Sequence, residues 1–163
     1  VSTHTDEKDK QLLKRGKGSQ KKSKTTVIIE TQPLEYDNKK STFMGKVKMI
    51  FNPSEKKEDA NQIAQSHIKK EALILSDKAG NYTDFAAYFE AHIQIKSNED
   101  AYEHFHWINT TISNLKRFLL GIYHGVNEKY LQNYLNEFCF KLNHRNNSYV
   151  FETLLFKTIC ESF

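Results

Sequence analysis

The sequence predicts an α/β domain whose last third is helical. Three observations carry this. Short apolar or β-branched runs recur at 25–30, 43–51, 72–76 and 91–96. Helix-spaced apolar residues fall between the second and third of them, and a further helix-like segment falls between the third and fourth. From residue 110 onward the apolar period is helical throughout.

The elements follow in order. Thr25 to Glu30 is a β-branched run and reads as a strand. Pro33 and the polar stretch from Glu35 to Thr42 read as a turn or hairpin loop. Phe43, Gly45, Val47, Met49 and Phe51 alternate with Lys46 and Lys48, which predicts a half-buried strand with the first five on one face. Asn52-Pro53-Ser54 stops it. Ala60, Ile63, Ala64, His67 and Ile68 define the apolar face of a helix over 55–70. Ala72-Leu73-Ile74-Leu75 is apolar on both faces, as an interior parallel strand is. A helix is expected over 82–90, a strand over 91–96, and a polar loop over 97–104.

Thr110 or Thr111 can cap a helix that presents Ile112, Leu115, Leu119 and Ile122. Asn127 can cap the next, which carries Tyr130, Leu131, Tyr134, Leu135, Phe138, Cys139 and Leu142. A last helix over 148–162 is expected to turn Val150, Phe151, Leu154, Leu155 and Ile159 inward. Cys139 and Cys160 both fall in apolar helical patterns and read as buried, reduced thiols.

Composition limits the function classes. Among 163 residues, 38 % are hydrophobic and 12 % aromatic, which suits a packed core and excludes a disordered chain. No apolar run reaches the length of a membrane span, and no signal-peptide pattern is present, so a cytoplasmic location is expected. The net charge of +4 is mild, but its distribution is uneven. Residues 1–26 hold eight basic and three acidic residues, a local charge of +5. Residues 1–24 therefore read as a basic flexible arm or loop, and 25–163 as the folded domain. Lys14, Arg15, Lys17, Lys21 and Lys22, interleaved with Gly16 and Gly18, suit either a solvated tail or contact with a phosphate backbone.

Asp77 is the leading catalytic candidate. It directly follows an apolar strand, and open α/β sheets bind ligands beyond the carboxyl ends of parallel strands. It could equally cap the turn before Lys78-Ala79-Gly80. His124, His144 and Arg145 near helix ends could touch phosphate, or could offset helix dipoles. The chain lacks a P-loop, a Gly-x-Gly-x-x-Gly turn after a strand, a Gly-x-Ser-x-Gly elbow and a His-Glu-x-x-His helix. His106 beside Trp107 has no third and fourth ligand at zinc spacing.

The stretch from His106 to Arg145 resembles a signature of DDE-type insertion-sequence transposases. The resemblance lies in Trp107-Ile108-Asn109-Thr110, in Ser113-Asn114-Leu115-Lys116, in Gly121-Ile122-Tyr123-His124-Gly125, and in the helix from Tyr130 to Arg145 that contains Leu131-Gln132-Asn133-Tyr134-Leu135 and Glu137-Phe138. The Arg15-Gly16-Lys17-Gly18-Ser19 loop before a strand and the strand ending in Ser76-Asp77 are similar too. Departures are Ile122 for the family's Thr, Leu142 for its usual Arg, and His144 in its Arg-Arg ending.

The resemblance implies a ribonuclease-H-like mixed sheet flanked by helices, and phosphoryl transfer on DNA with two Mg²⁺ (or Mn²⁺) ions held by acidic residues. It implies Asp77 as the second acidic residue, Asn114 at the third position with a neutral oxygen ligand, and Lys116 as a phosphate contact. Lys141 and Arg145 join the basic loop and His124 as expected DNA contacts. Partners are transposon-end and target DNA, and a homo-oligomer in the complete enzyme.

The family's first acidic residue lies on a central strand upstream of the basic loop. Asp6 and Asp9 sit in a polar stretch without strand character and do not inherit that role. The chain also begins with Val1. The expectation is a catalytic domain lacking its first strand, inactive and poorly stable as given, with its antiparallel strands unbridged to its parallel ones. A non-catalytic DNA-binding remnant is the alternative, and a small α/β interaction module without a DNA role is a third.

Overall fold

The computed structural model describes residues 23–36, 39–52, 56–96, 99–123 and 126–160. The basic arm with Lys14, Arg15, Lys17, Lys21 and Lys22, and also His124, lie outside them.

The chain opens with a long antiparallel hairpin, β1 (Thr25–Tyr36) and β2 (Lys39–Phe51), paired from Thr25 against Phe51 to Tyr36 against Lys39. It extends well past the predicted strand ends. Pro33 was expected to break it, but proline removes only one donor and is tolerated in a strand with a free edge. The register shifts inside the hairpin: Ile29 faces Val47 while Thr31 faces Met44. Glu30 alone therefore opposes both Gly45 and Lys46, which is a β-bulge.

The bulge corrects the predicted alternation. An extra residue inverts the inward and outward sense of everything on one side of it. Val47 and Met49 are buried as expected, but so is Met44, and Phe43 is 43 % exposed instead of sharing their face.

Helix α1 (Lys57–His67) buries Ala60 and Ala64 and turns His67 outward, where its ring nitrogen meets the Ile63 carbonyl at 2.9 Å. Strand β3 (Leu73–Asp77) pairs in parallel with β4 (Ala91–Ile95), Leu73 opposite Ala91 and Asp77 opposite Ile95. Two 3₁₀ turns, Gly80–Tyr82 and Phe85–Ala87, make the crossover where one helix was expected. The local hydrogen bond from Thr83 Oγ1 to the Gly80 carbonyl, 3.1 Å, competes with a continuous helix. Phe85 and Phe89 still reach inward, edge to face at 5.6 Å, and form a small core with Ala64, Ile68, Ile74 and Tyr82.

The interior-strand expectation for residues 72–75 holds for one face only. Leu73, Leu75 and Ile93 are exposed on the other. The two strand pairs form separate two-stranded sheets.

The last third is helical, with three differences from expectation. Residues 99–104 form a short helix, α2, not a loop. Helix α3 (His106–Tyr123) begins ahead of Thr110, so neither threonine caps it. Thr111 is instead buried within it and donates to the Met44 sulfur at 3.5 Å. Ile122 is exposed. The Asn127 cap is as expected: its side-chain oxygen accepts the Lys129 N–H at 2.9 Å, opening a 3₁₀ turn (Glu128–Tyr130) that runs into α4 (Leu131–Asn143).

The main core joins Met44, Val47 and Met49 to Leu115 and Leu119 of α3 and to Leu131, Leu135 and Phe138 of α4. Cys139 is buried there as expected. Helix α5 (Val150–Cys160) forms where expected, but its inward face does not, because Phe151, Leu154, Leu155 and Ile159 are exposed, and so is Cys160. Apolar residues at helical spacing predict a packed face, but spacing does not supply the surface it packs on.

Candidate functional site

Asp77 ends β3 at the carboxyl edge of the parallel pair and is exposed. Its Oδ1 accepts the Ala79 N–H at 3.3 Å, so it takes up the turn-capping position as well as the strand-end one. Behind it runs a polar chain. Ser76 Oγ lies 2.8 Å from His92 Nε2 and 3.0 Å from the Asp77 carbonyl. One arrangement satisfies both contacts: His92 Nε2–H donates to Ser76, whose hydroxyl donates to the Asp77 carbonyl. Burial lowers the His92 pKa from its ordinary 6.5. The carbonyl next to the candidate carboxylate is thereby fixed from within the sheet.

Asn114 and Lys116 lie on α3, two residues apart and so on different faces. Asn114 is half-buried, and its Oδ1 accepts from Arg117 Nη2 at 2.7 Å. Lys116 is exposed. Helix α3 belongs to the main core and β3 to the small one. Among the described residues no three His, Cys, Asp or Glu side chains gather where they could hold a metal ion. Asp77 and Asn114 offer the hard oxygen atoms that suit Mg²⁺, but the fold seats them on separate groups of elements.

The signature helix does different work from that expected. Gln132 Oε1 accepts the Phe51 N–H at 2.8 Å, and its Nε2 donates to the Met49 carbonyl at 3.1 Å. Asn143 binds both backbone groups of Val47. Arg145 Nη2 donates to the Met44 carbonyl, and Nη1 to the Leu142 carbonyl at 2.8 Å. These three side chains satisfy the edge of β2 that β1 leaves open. Trp107 anchors α3 to the same hairpin, its indole N–H reaching the Thr42 hydroxyl at 3.0 Å.

Lys141, an expected DNA contact, lies 2.6 Å from Glu137, and Tyr123 donates to the same carboxylate at 2.7 Å. The Lys141 hydrogen bond, then the Tyr123 one, hold the Glu137 pKa below its ordinary value, and the Glu137 bond raises that of Tyr123. His144 stays on its own helix, its ring stacked on Phe140 and its Nδ1 at 2.9 Å from the Phe140 carbonyl.

Sequence reasoning did not single out the bulge as a site. There, Glu30, Gln32, Phe43, Lys46, Arg145 and Asn146 surround an open depression of about 320 Å³. The available signal was Gly45 inside a strand, which commonly marks a bulge or a close approach.

Residues 1–143 match the family model described as the ISXO2-like transposase domain. The chain belongs to that family of insertion-sequence transposases. The match covers both strand pairs and every helix up to α4, and it stops before α5. No curated protein matches the chain, and no solved structure does. The transposase family brings DNA as the partner. Within the matched residues, Trp107, Gln132 and Asn143 hold α3 and α4 to the hairpin. No described helix is long and apolar enough to cross a membrane.

Proposed function

We propose that this chain belongs to a transposase of ribonuclease-H-like catalytic type, the complete enzyme acting in the cytoplasm to cleave and join DNA strands at insertion-sequence ends. The observation that carries the reading is the placement of Asp77. It is an exposed carboxylate at the carboxyl end of a parallel strand, in a chain of a transposase family. Its second oxygen makes no hydrogen bond among the described residues. Asp77 and Asn114 are the residues that would hold Mg²⁺ or Mn²⁺. When bound, the metal supplies an activated oxygen nucleophile and charge neutralisation at the leaving oxygen.

The chain's own residues bind and orient. Lys116, exposed on α3, holds a phosphate near the reacting strand. Lys14, Arg15, Lys17, Lys21, Lys22, His124, Lys141 and Arg145 contact the DNA backbone, which fixes register without reading sequence. Arg145 can do so only with the donors left after its two carbonyl bonds. The complete enzyme assembles as a homo-oligomer.

One observation favours a second reading, a DNA-binding remnant without catalysis: Asp77 and Asn114 sit on elements, β3 and α3, that pack into separate cores. The two readings separate in one experiment. The purified chain is given oligonucleotides bearing the ends of its own element, with Mg²⁺ or Mn²⁺, and strand cleavage is followed for wild type and Asp77→Ala. Cleavage that Asp77→Ala abolishes while DNA binding persists supports the catalytic reading and overturns the expectation that the chain is inactive as given. Binding without cleavage by either protein supports the remnant, and cleavage that survives Asp77→Ala removes Asp77 from the site.

A further inference from the structure

The bulge depression lies on the hairpin and α4, whereas Asp77 belongs to the other strand pair. Its walls have a definite chemistry. On one side the Glu30 carboxylate folds over Gly45, accepting the Lys46 N–H at 3.2 Å and the Gln32 amide at 3.4 Å. On the other, the end of α4 supplies Arg145 and Asn146. Between them stands Phe43, turned outward by the bulge, with the Arg145 guanidinium 5.3 Å from its ring centre. A phenyl ring backed by a guanidinium and left open to solvent is a stacking platform.

Charge and size narrow the ligand. Neither Lys46 nor Arg145 forms an ion pair among the described residues. The two cations outnumber the one carboxylate, Glu30, and beside an aromatic ring they suit a group that is both planar and anionic. Glu30, Gln32 and Asn146 add acceptors and donors that can meet the edge of a heterocycle. At about 320 Å³ the open depression is at the small end of ligand sites, a size that suits one base. A base paired within a duplex keeps both faces inside the helical stack, and an end pair frees only one, so the ring engages most fully a base that has left the stack.

We propose that this depression binds a single unpaired DNA nucleotide, its base on Phe43 and its phosphate between Lys46 and Arg145. The proposal rests on the DNA-binding reading above and adds a structural preference to it: DNA that exposes an unpaired nucleotide binds more tightly than the same duplex with blunt ends.

The test uses the whole chain and fluorescence anisotropy at fixed salt. Three probes share one duplex: blunt, with a short single-stranded overhang, and with the same overhang made abasic. The overhang should raise affinity about tenfold, in keeping with one stacked base, and the abasic overhang should bring it back towards the blunt value. Phe43→Leu should remove the preference and Phe43→Trp should keep it, with the melting temperature confirming that each variant folds. Lys46→Ala, at an exposed position, should weaken overhang binding and flatten its salt dependence. Free deoxynucleotide should compete only weakly, because it lacks the flanking duplex.

Equal affinity for blunt and overhang probes overturns the proposal and leaves the DNA-binding reading standing. A preference that survives both the abasic overhang and Phe43→Leu overturns it as well. No binding to any probe at low salt overturns both.

Discussion

The side-chain amide of Asn143 pairs with Val47 as a neighbouring strand would. Its Oδ1 accepts the Val47 N–H at 2.7 Å and its Nδ2 donates to the Val47 carbonyl at 2.9 Å. Eleven positions earlier on the same helix, Gln132 bridges Met49 and Phe51 in the same manner. Helix α4 therefore closes a strand edge that would otherwise present unpaired backbone groups.

Asn143→Ala takes away both partners of a buried residue's backbone. A buried polar group without a partner costs about 1–3 kcal/mol, and partial entry of water places the expected loss within that range. Urea unfolding of the variant, with an unchanged slope, measures it. A loss of only a few tenths of a kcal/mol would mean that α4 is held by its apolar face alone.

Gly45 is required by the Glu30 side chain and not by strand geometry. A Cβ at position 45 would lie 3.0 Å from Glu30 Oε2 and 3.1 Å from its Cδ and Cγ. Gly45→Ala must displace that side chain by a few tenths of an ångström and so strain its bond to the Lys46 N–H, at a cost of up to about 1 kcal/mol. In a Glu30→Ala background the same substitution should cost close to nothing. Additive losses in this double-mutant cycle would show that Gly45 serves some other constraint.

Stability should depend on pH through Glu137. Its pKa is lowered in the fold by Lys141 and then Tyr123. A lowered carboxyl contributes stability that is present above its unfolded value, ordinarily 4.5, and lost as pH falls through the folded value. Tyr123, raised by the same hydrogen bond, contributes below its ordinary 10.0 and loses that contribution as pH rises through its folded value. Tyr123→Phe should therefore lower the melting temperature at neutral pH, and the gap from wild type should narrow at both the acid and the alkaline limbs. The carboxylate is well exposed, so the effect is small. A gap that stays constant from acid to alkaline pH contradicts the linkage.

The candidate site was legible in part. Asp77 could be found because an apolar run ending in a polar residue marks a strand end, and strand ends are local features of the chain. Asn114 and Lys116 came from a resemblance, and their spatial relation to Asp77 depends on how two separate cores sit, which no local pattern encodes. Gln132, Asn143 and Arg145 belong to the same recognisable signature, yet their work on β2 could not be read from it. A side-chain amide suits a DNA contact and a strand edge equally, and only the partner the fold brings to it decides which.

What the sequence by itself determined is the α/β class, the hairpin, the parallel pair, the signature helices and the family, because each rests on local period or on a run of matched residues. The tertiary structure decided three things. One extra residue at Gly45–Lys46 reversed the strand's inward sense, so Met44 went into the core and Phe43 faced out. The edge of β2 found its partners some eighty to a hundred residues later, in side chains of α4 and of Arg145 just past its end. Helix α5 kept its apolar residues exposed, because a helical period fixes which residues share a face and only a packed neighbour buries them.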